Sequence, residues 1–132
     1  MPEDVRSPIR ILVVDDEAGY RALLNWRLNR FPSVVELAAD GAEAAAALQE
    51  KNFDLVITDL TMPSMGGLAL LSHIKEVAPQ TAVIVITGFA TVEVAVHAMR
   101  SGASDVLIKP FPLSKLFDSI RRALSTRLPR AA

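Results

Sequence analysis

Acidic, hydroxyl and basic side chains stand where four short apolar runs stop. Ile9 to Val14 runs into Asp15, Asp16 and Glu17, and Leu55 to Thr58 runs into Asp59. Ala82 to Thr87 ends on a threonine followed by Gly88, and Val106 to Ile108 runs into Lys109-Pro110. If these runs are neighbouring strands, carboxylates, a hydroxyl and an amine meet on one rim. Crowded carboxylates repel, and their pKa values rise unless a cation joins them. Lys109 neutralises one charge, and a divalent cation neutralises two. An all-oxygen set favours a hard ion, Mg²⁺, with Mn²⁺ as a substitute.

That arrangement suits phosphoryl transfer. An aspartyl carboxylate can attack phosphorus and form an acyl phosphate, and Asp59 is the expected nucleophile. Asp16 is expected to hold the metal directly, and Asp15 directly or through water. The backbone carbonyl of Thr61, two residues past Asp59, offers a further oxygen. Lys109 would meet one phosphoryl oxygen as a point charge, and the Thr87 hydroxyl would donate to another. A plainer account has Asp15 and Asp16 capping the helix that follows them. Capping leaves Asp59 and Lys109, at two further strand exits, without a reason.

The elements that must position these groups are legible as alternation. Five apolar runs, with Val34 to Ala38 as the fifth, are too short for good helices. They lack the strict alternation of a half-exposed strand. Helical segments are expected at Glu17 to Phe31, Ala42 to Glu50, Leu68 to Val77, Thr91 to Arg100 and Leu113 to Leu124. Leu24, Leu28 and Phe31 are spaced for one helix face. Val92, Ala95, Val96 and Met99 share a side of the fourth helix, which should stop at Gly102. Leu113, Leu116, Phe117, Ile120 and Leu124 share a side of the fifth. Five β-α units in succession imply an α/β domain with a mostly parallel sheet and helices on both faces. In such sheets function sits beyond the carboxyl ends of the strands.

Composition narrows the rest. The 132 residues suit one domain, and 51% hydrophobic content supplies a core. We divide the chain into a loosely attached segment 1–8, a domain 9–125 and a tail or linker start 126–132. A net charge of −1 gives no sign of a nucleic-acid surface. The absence of cysteine excludes disulfides and thiolate ligands, and it is compatible with a reducing, cytoplasmic setting. MPEDVRSPIR carries no signal-peptide run, and no apolar stretch is long enough to cross a membrane. His73 and His97 lie in separate segments without ligand spacing.

Four motifs in order, ILVVDDE, DLTMPSMGGLALL, VIVITGFA and LIKPF, resemble the receiver domain of bacterial two-component response regulators. The resemblance covers residues 9 to 125. It implies a flavodoxin-like (βα)5 fold with strand order 2-1-3-4-5. It implies phosphotransfer from a histidine kinase or histidine phosphotransferase, slow autodephosphorylation, and a switch that reports phosphorylation. Asp15 and Asp16 match the family's acidic pair, Asp59 the phosphoacceptor, Thr87 the switch hydroxyl and Lys109 the lysine. Lys109-Pro110 is expected to be a cis peptide. The fourth helix, fifth strand and fifth helix are the expected output and homodimer face. The run from Thr87 to Phe111 is similar to receivers of the nitrogen-regulator class, whose outputs regulate transcription. Any DNA contact would belong to an attached domain, not to this one.

Two departures stand out. Gly66 occupies a position where the family often has Asp, and Val106 one where it usually has Tyr or Phe. Val106 cannot swing an aromatic ring inward, so loop and helix movement, with Phe89 as a substitute, would carry the signal. Thr61 and Phe89 flank the expected path of hydrolytic water, and Gly88 leaves space beside Thr87. Other readings fit less well. A haloacid-dehalogenase phosphatase would have an aspartate where Thr61 stands. A flavodoxin-like binding module would have a Thr/Ser/Gly phosphate loop after the first strand. A receiver of a hybrid histidine kinase, or a pseudo-receiver serving only as a binding platform, are the remaining alternatives.

Overall fold

In the computed structural model, residues 8–30, 32–60, 66–88 and 91–125 are described. The expectations for the first seven residues, Phe31, Thr61, Phe89 and the tail from residue 126 lie outside them. Five strands and five helices alternate: β1 Ile9–Val14, α1 Ala18–Leu28, β2 Ser33–Ala38, α2 Gly41–Glu50, β3 Leu55–Asp59, then α3 Gly67–Val77, β4 Ala82–Thr87, α4 Val92–Arg100, β5 Asp105–Ile108 and α5 Leu113–Ala123. All strand pairs are parallel, in the order β2-β1-β3-β4-β5. This is the flavodoxin-like (βα)5 arrangement expected.

The side-chain period of two sorts each strand between two cores. Ile11, Val13, Leu55, Ile57, Ile84 and Ile86 face Leu24 and Leu28 of α1 and Leu116 and Ile120 of α5. Their neighbours Leu12, Val14, Val56, Val83 and Val85 face Ala44 of α2, Leu70, Leu71 and Ile74 of α3, and Ala98 of α4. Every residue of β3 and β4 is buried, which explains why their sequences do not alternate. β2 and β5 form the edges and are partly exposed.

Helix ends follow local chemistry. The Asp40 carboxylate accepts the Glu43 N–H at 2.9 Å, while the Glu43 carboxylate accepts the Ala39 N–H at 2.8 Å, a close relative of the capping box. Thr91 is the N-cap of α4, not its first residue, and its hydroxyl accepts the Val94 N–H at 3.1 Å. α4 closes in a Schellman motif: Ala103 N–H bonds to Ala98 C=O at 3.0 Å and Gly102 N–H to Met99 C=O at 3.1 Å. Gly102 sits at φ 108, a conformation costly for any residue with a Cβ. α1 ends at Leu28, three residues before the expected limit, ahead of Pro32, which disfavours helix just before it.

The apolar side expected for α4 is present, and it is not a core face. Ala98 is its one buried residue, whereas Val92 is 80% exposed, Met99 48% and Val96 41%. The apolar stripe exists at helical spacing, but it points to solvent, and the small Ala98 packs on the sheet. Beside it, Ile108 of β5 is 54% exposed. α5 is tied more firmly. The Asp105 carboxylate at the start of β5 accepts the buried Ser119 hydroxyl at 2.7 Å and the Arg122 guanidinium at 2.8 Å.

Met99→Ser should therefore change stability by no more than about 0.5 kcal/mol, as at other exposed positions. Ile84→Ala, in the fully buried β4, should cost about 2–5 kcal/mol. Urea unfolding of both variants checks this. A large loss for Met99→Ser would show that the stripe of α4 is packed after all.

Candidate functional site

The register brings the polar strand exits to one rim. Val14 pairs with Thr58, so Asp15 and Asp59 lie level just beyond. Asp59 pairs with Ile86, which puts Thr87 one residue farther along β4. Thr87 pairs with Ile108, and Lys109 N–H donates to the Thr87 carbonyl at 2.8 Å. β1 and β3 are adjacent although the chain visits β2 between them. The crevice between their carboxyl ends is therefore the topological switch point of the sheet.

Strand parity aims the side chains. Asp15 continues the series Ile11, Val13; Asp59 continues Leu55, Ile57; Lys109 follows Leu107 by two. All of these predecessors belong to the core under α1 and α5. The three charged groups accordingly converge: Lys109 Nζ is 3.2 Å from Asp15 Oδ2 and 3.3 Å from Asp59 Oδ2. Carboxylate oxygens of Asp15, Asp16 and Asp59 all lie within 4.8 Å of one another. Asp15 is fully buried, Asp59 is 8% exposed and Asp16 is exposed. Thr87 is fully buried and has the opposite parity, that of Val83 and Val85.

Asp15 is the most constrained. Its Oδ1 accepts the Glu17 N–H at 2.8 Å, and its carbonyl accepts the Arg21 guanidinium at 2.5 Å. Glu17, not Asp15, is the N-cap of α1, so Asp15 orders the turn before the helix as well as facing the rim. Burial raises the Asp15 pKa, and the Glu17 N–H and Lys109 only partly offset it. Burial also opposes the charge on Lys109. The charges of Asp59 and Asp15 and the hydrogen bonds to them outweigh that, and its pKa is raised. Protonated Lys109 thus stabilises the fold below its ordinary value, and the contribution fades as pH rises through the raised one. Three clustered carboxylates against one ammonium leave an excess of negative charge. That hard-oxygen set fits a divalent cation.

Tyr20, Arg21 and the role of Gly67 were not found from the sequence. The Tyr20 ring centroid lies 3.9 Å from Lys109 Nζ. Its only sequence signal was a position one helical turn past Asp16. Arg21, one residue on, anchors the β1–α1 turn. Gly67 permits the β3–α3 approach. A Cβ there would lie 2.4 Å from the Asp59 carbonyl oxygen and 2.7 Å from Leu60 Cα. Gly66, by contrast, is the N-cap of α3 at φ -67 and offers no side-chain cap. Among the described residues, a Cβ at Gly66 would meet only the Leu60 carbonyl, at an ordinary 3.7 Å. Nothing among the described residues lies within 4 Å of a Cβ at Gly88. Val106 is partly buried and packs on the α4-side core, and the Lys109-Pro110 peptide is cis. Thr61 and Phe89 lie outside the described residues.

Comparison with known proteins follows the same lines. The family model "Response regulator receiver domain" matches residues 11–121. The transcriptional regulatory protein ZraR of Salmonella typhimurium is 40% identical over 121 residues, covering 92% of this chain and 27% of that protein. The chemotaxis protein CheY of Bacillus subtilis is 35% identical over 118 residues, covering 88% of this chain and 98% of CheY. The solution structure of the beryllofluoride-activated NtrC4 receiver domain dimer superposes with a TM-score of 0.84 at 34% identity, covering 89% of this chain and 97% of that one. Against ZraR, then, the chain spans only about a quarter of the relative's length.

Gly67→Ala should lower stability by about 1–3 kcal/mol, the usual size of an overpacking defect. The gain in helix propensity, about 1 kcal/mol, works the other way. The clash prevails because the atoms met are backbone. Urea unfolding measures the balance, and a stabilised variant would overturn this account of the β3–α3 junction.

Proposed function

The chain belongs to the response regulator receiver domain family, and from that premise we propose that it accepts a phosphoryl group on Asp59. The donor would be a phosphohistidine of a histidine kinase or histidine phosphotransferase. The supporting observation is the convergence of Asp15, Asp16 and Asp59 oxygens within 4.8 Å, with Lys109 bridging Asp15 and Asp59. In the transfer an Asp59 carboxylate oxygen forms a bond to phosphorus while the bond from phosphorus to the histidine nitrogen breaks. The imidazole leaves with the electron pair. Lys109 offsets charge beside the attacking oxygen, and the Thr87 hydroxyl donates to a phosphoryl oxygen.

Asp15, Asp16, Asp59 and the Thr61 carbonyl would hold Mg²⁺, for which Mn²⁺ can substitute. When bound, that ion supplies positive charge for the phosphoryl oxygens. Hydrolysis of the acyl phosphate by water would be slow, because neither Thr61 nor Phe89 carries a carboxylate or amide to orient water.

The signal would leave through α4, β5 and α5. Thr87 and Lys109 bound this region and are joined by a backbone hydrogen bond of 2.8 Å, so a phosphoryl group that engages both side chains biases it. The exposed Val92, Val96, Met99 and Ile108 give the face an apolar surface suited to a second copy. The dimeric state of the activated NtrC4 receiver supports that reading. The name of ZraR, a transcriptional regulatory protein, supports an attached transcription-regulating portion. Among the described residues no helix is long and apolar enough to cross a membrane.

Incubation with a small phosphodonor and Mg²⁺ should add one phosphoryl group by intact mass. The near-isosteric Asp59→Asn should stay unlabelled with its fold intact. Equal labelling of both proteins would refute the assignment. Asp16→Ala should weaken Mg²⁺ binding roughly tenfold or more, since affinity follows the number of charged ligands. Calorimetric titration reads this directly, and unchanged affinity would remove Asp16 as a ligand.

A further inference from the structure

Lys109 has a third neighbour that the proposed transfer does not use. Its ammonium touches Asp15 Oδ2 at 3.2 Å and Asp59 Oδ2 at 3.3 Å, both long for charge-assisted hydrogen bonds. Neither carboxylate holds it closely. The remaining side is faced by Tyr20, whose ring centroid is 3.9 Å away, well within cation–π range. Tyr20 stands in the first turn of α1, partly buried against the core beneath α1 and α5. The Lys109 side chain is only 18% exposed, so little water competes for the ammonium.

We propose that Tyr20 is a positioning residue for Lys109, its ring face holding the ammonium over the rim while the carboxylates change partners. The inference rests on the reading that Asp59 accepts a phosphoryl group. In that event one Asp59 oxygen becomes the bridging oxygen of an acyl phosphate, and Lys109 exchanges part of its carboxylate contact for a phosphoryl oxygen. A bound cation would also share the Asp15 carboxylate. The ring contact depends on neither carboxylate and is present before and after transfer. Tyr20 also stays a neutral phenol, because burial raises its pKa and the positive charges of Lys109 and Arg27 do not reverse this. An aliphatic side chain would fill the same space but leave one face of a mostly buried ammonium without a partner.

The test uses Tyr20→Leu and Tyr20→Phe in the full chain. Without metal or phosphodonor, NMR should show the Lys109 Cε protons shifted upfield by the ring. The shift should persist in Tyr20→Phe and collapse in Tyr20→Leu. With a small phosphodonor and Mg²⁺, Tyr20→Leu should be labelled roughly three- to tenfold more slowly, the range a partly desolvated cation–π contact supports. Tyr20→Phe should stay within about twofold of the parent, since the ring face is retained. In a Lys109→Ala background Tyr20→Leu should cause no further loss, because the two residues act as one unit. An unshifted Lys109 signal in the parent overturns the proposal. So do parental rates in Tyr20→Leu, equal slowing in both Tyr20 variants, or full additivity with Lys109→Ala. A parent chain that takes no phosphoryl group at all instead refutes the phosphoacceptor reading itself.

Discussion

The charge balance around Lys109 is the constraint on which the site depends. Asp15 is fully buried and Asp59 nearly so, and Lys109 is within 3.3 Å of both. Removing one partner of such a buried pair generally costs about 3–5 kcal/mol, because a charge is left without compensation. The ammonium therefore does two jobs. It makes the acidic rim compatible with a folded sheet, and it fixes the spacing of β1, β3 and β5 at their carboxyl ends. Because these strands are not all neighbours, the lysine spans β4 as well as the crevice. A cation joining the acids would redistribute this balance rather than create a new one.

Much of this was legible in the sequence, for a simple reason. Five β-α units with buried parallel strands leave few topologies. Parity then places Asp15, Asp59 and Lys109 on one side, because each follows an apolar residue two positions earlier. The strand order came from family resemblance and agrees with the observed pairing. α4 shows the limit of such patterns. Periodicity detects a stripe but not what the stripe faces, and Val92, Val96 and Met99 form the larger stripe while the small Ala98 does the packing. Tyr20 was missed because its contact joins residues far apart in sequence, and Gly67 because its need is for a missing Cβ. Neither leaves a periodic trace.

The same local rules explain why the Gly66–Gly67 pair is not redundant. Gly67 admits the approach of α3 to the Asp59 carbonyl, whereas Gly66 has ordinary backbone angles and merely omits a cap. A glycine in place of a capping side chain costs only a few tenths of a kcal/mol. The departure from the family at position 66 is thus tolerable where one at 67 would not be.

The unequal seating of α4 and α5 has a mechanical consequence. α5 is clamped by a buried apolar row and by Asp105, which grips both Ser119 and Arg122. α4 presents a single buried alanine and is otherwise secured by its two end motifs. Segments with few buried contacts open at a small fraction of the global unfolding free energy. Any strain delivered at the rim would therefore be released asymmetrically, with α4 as the compliant element and α5 as the rigid footing.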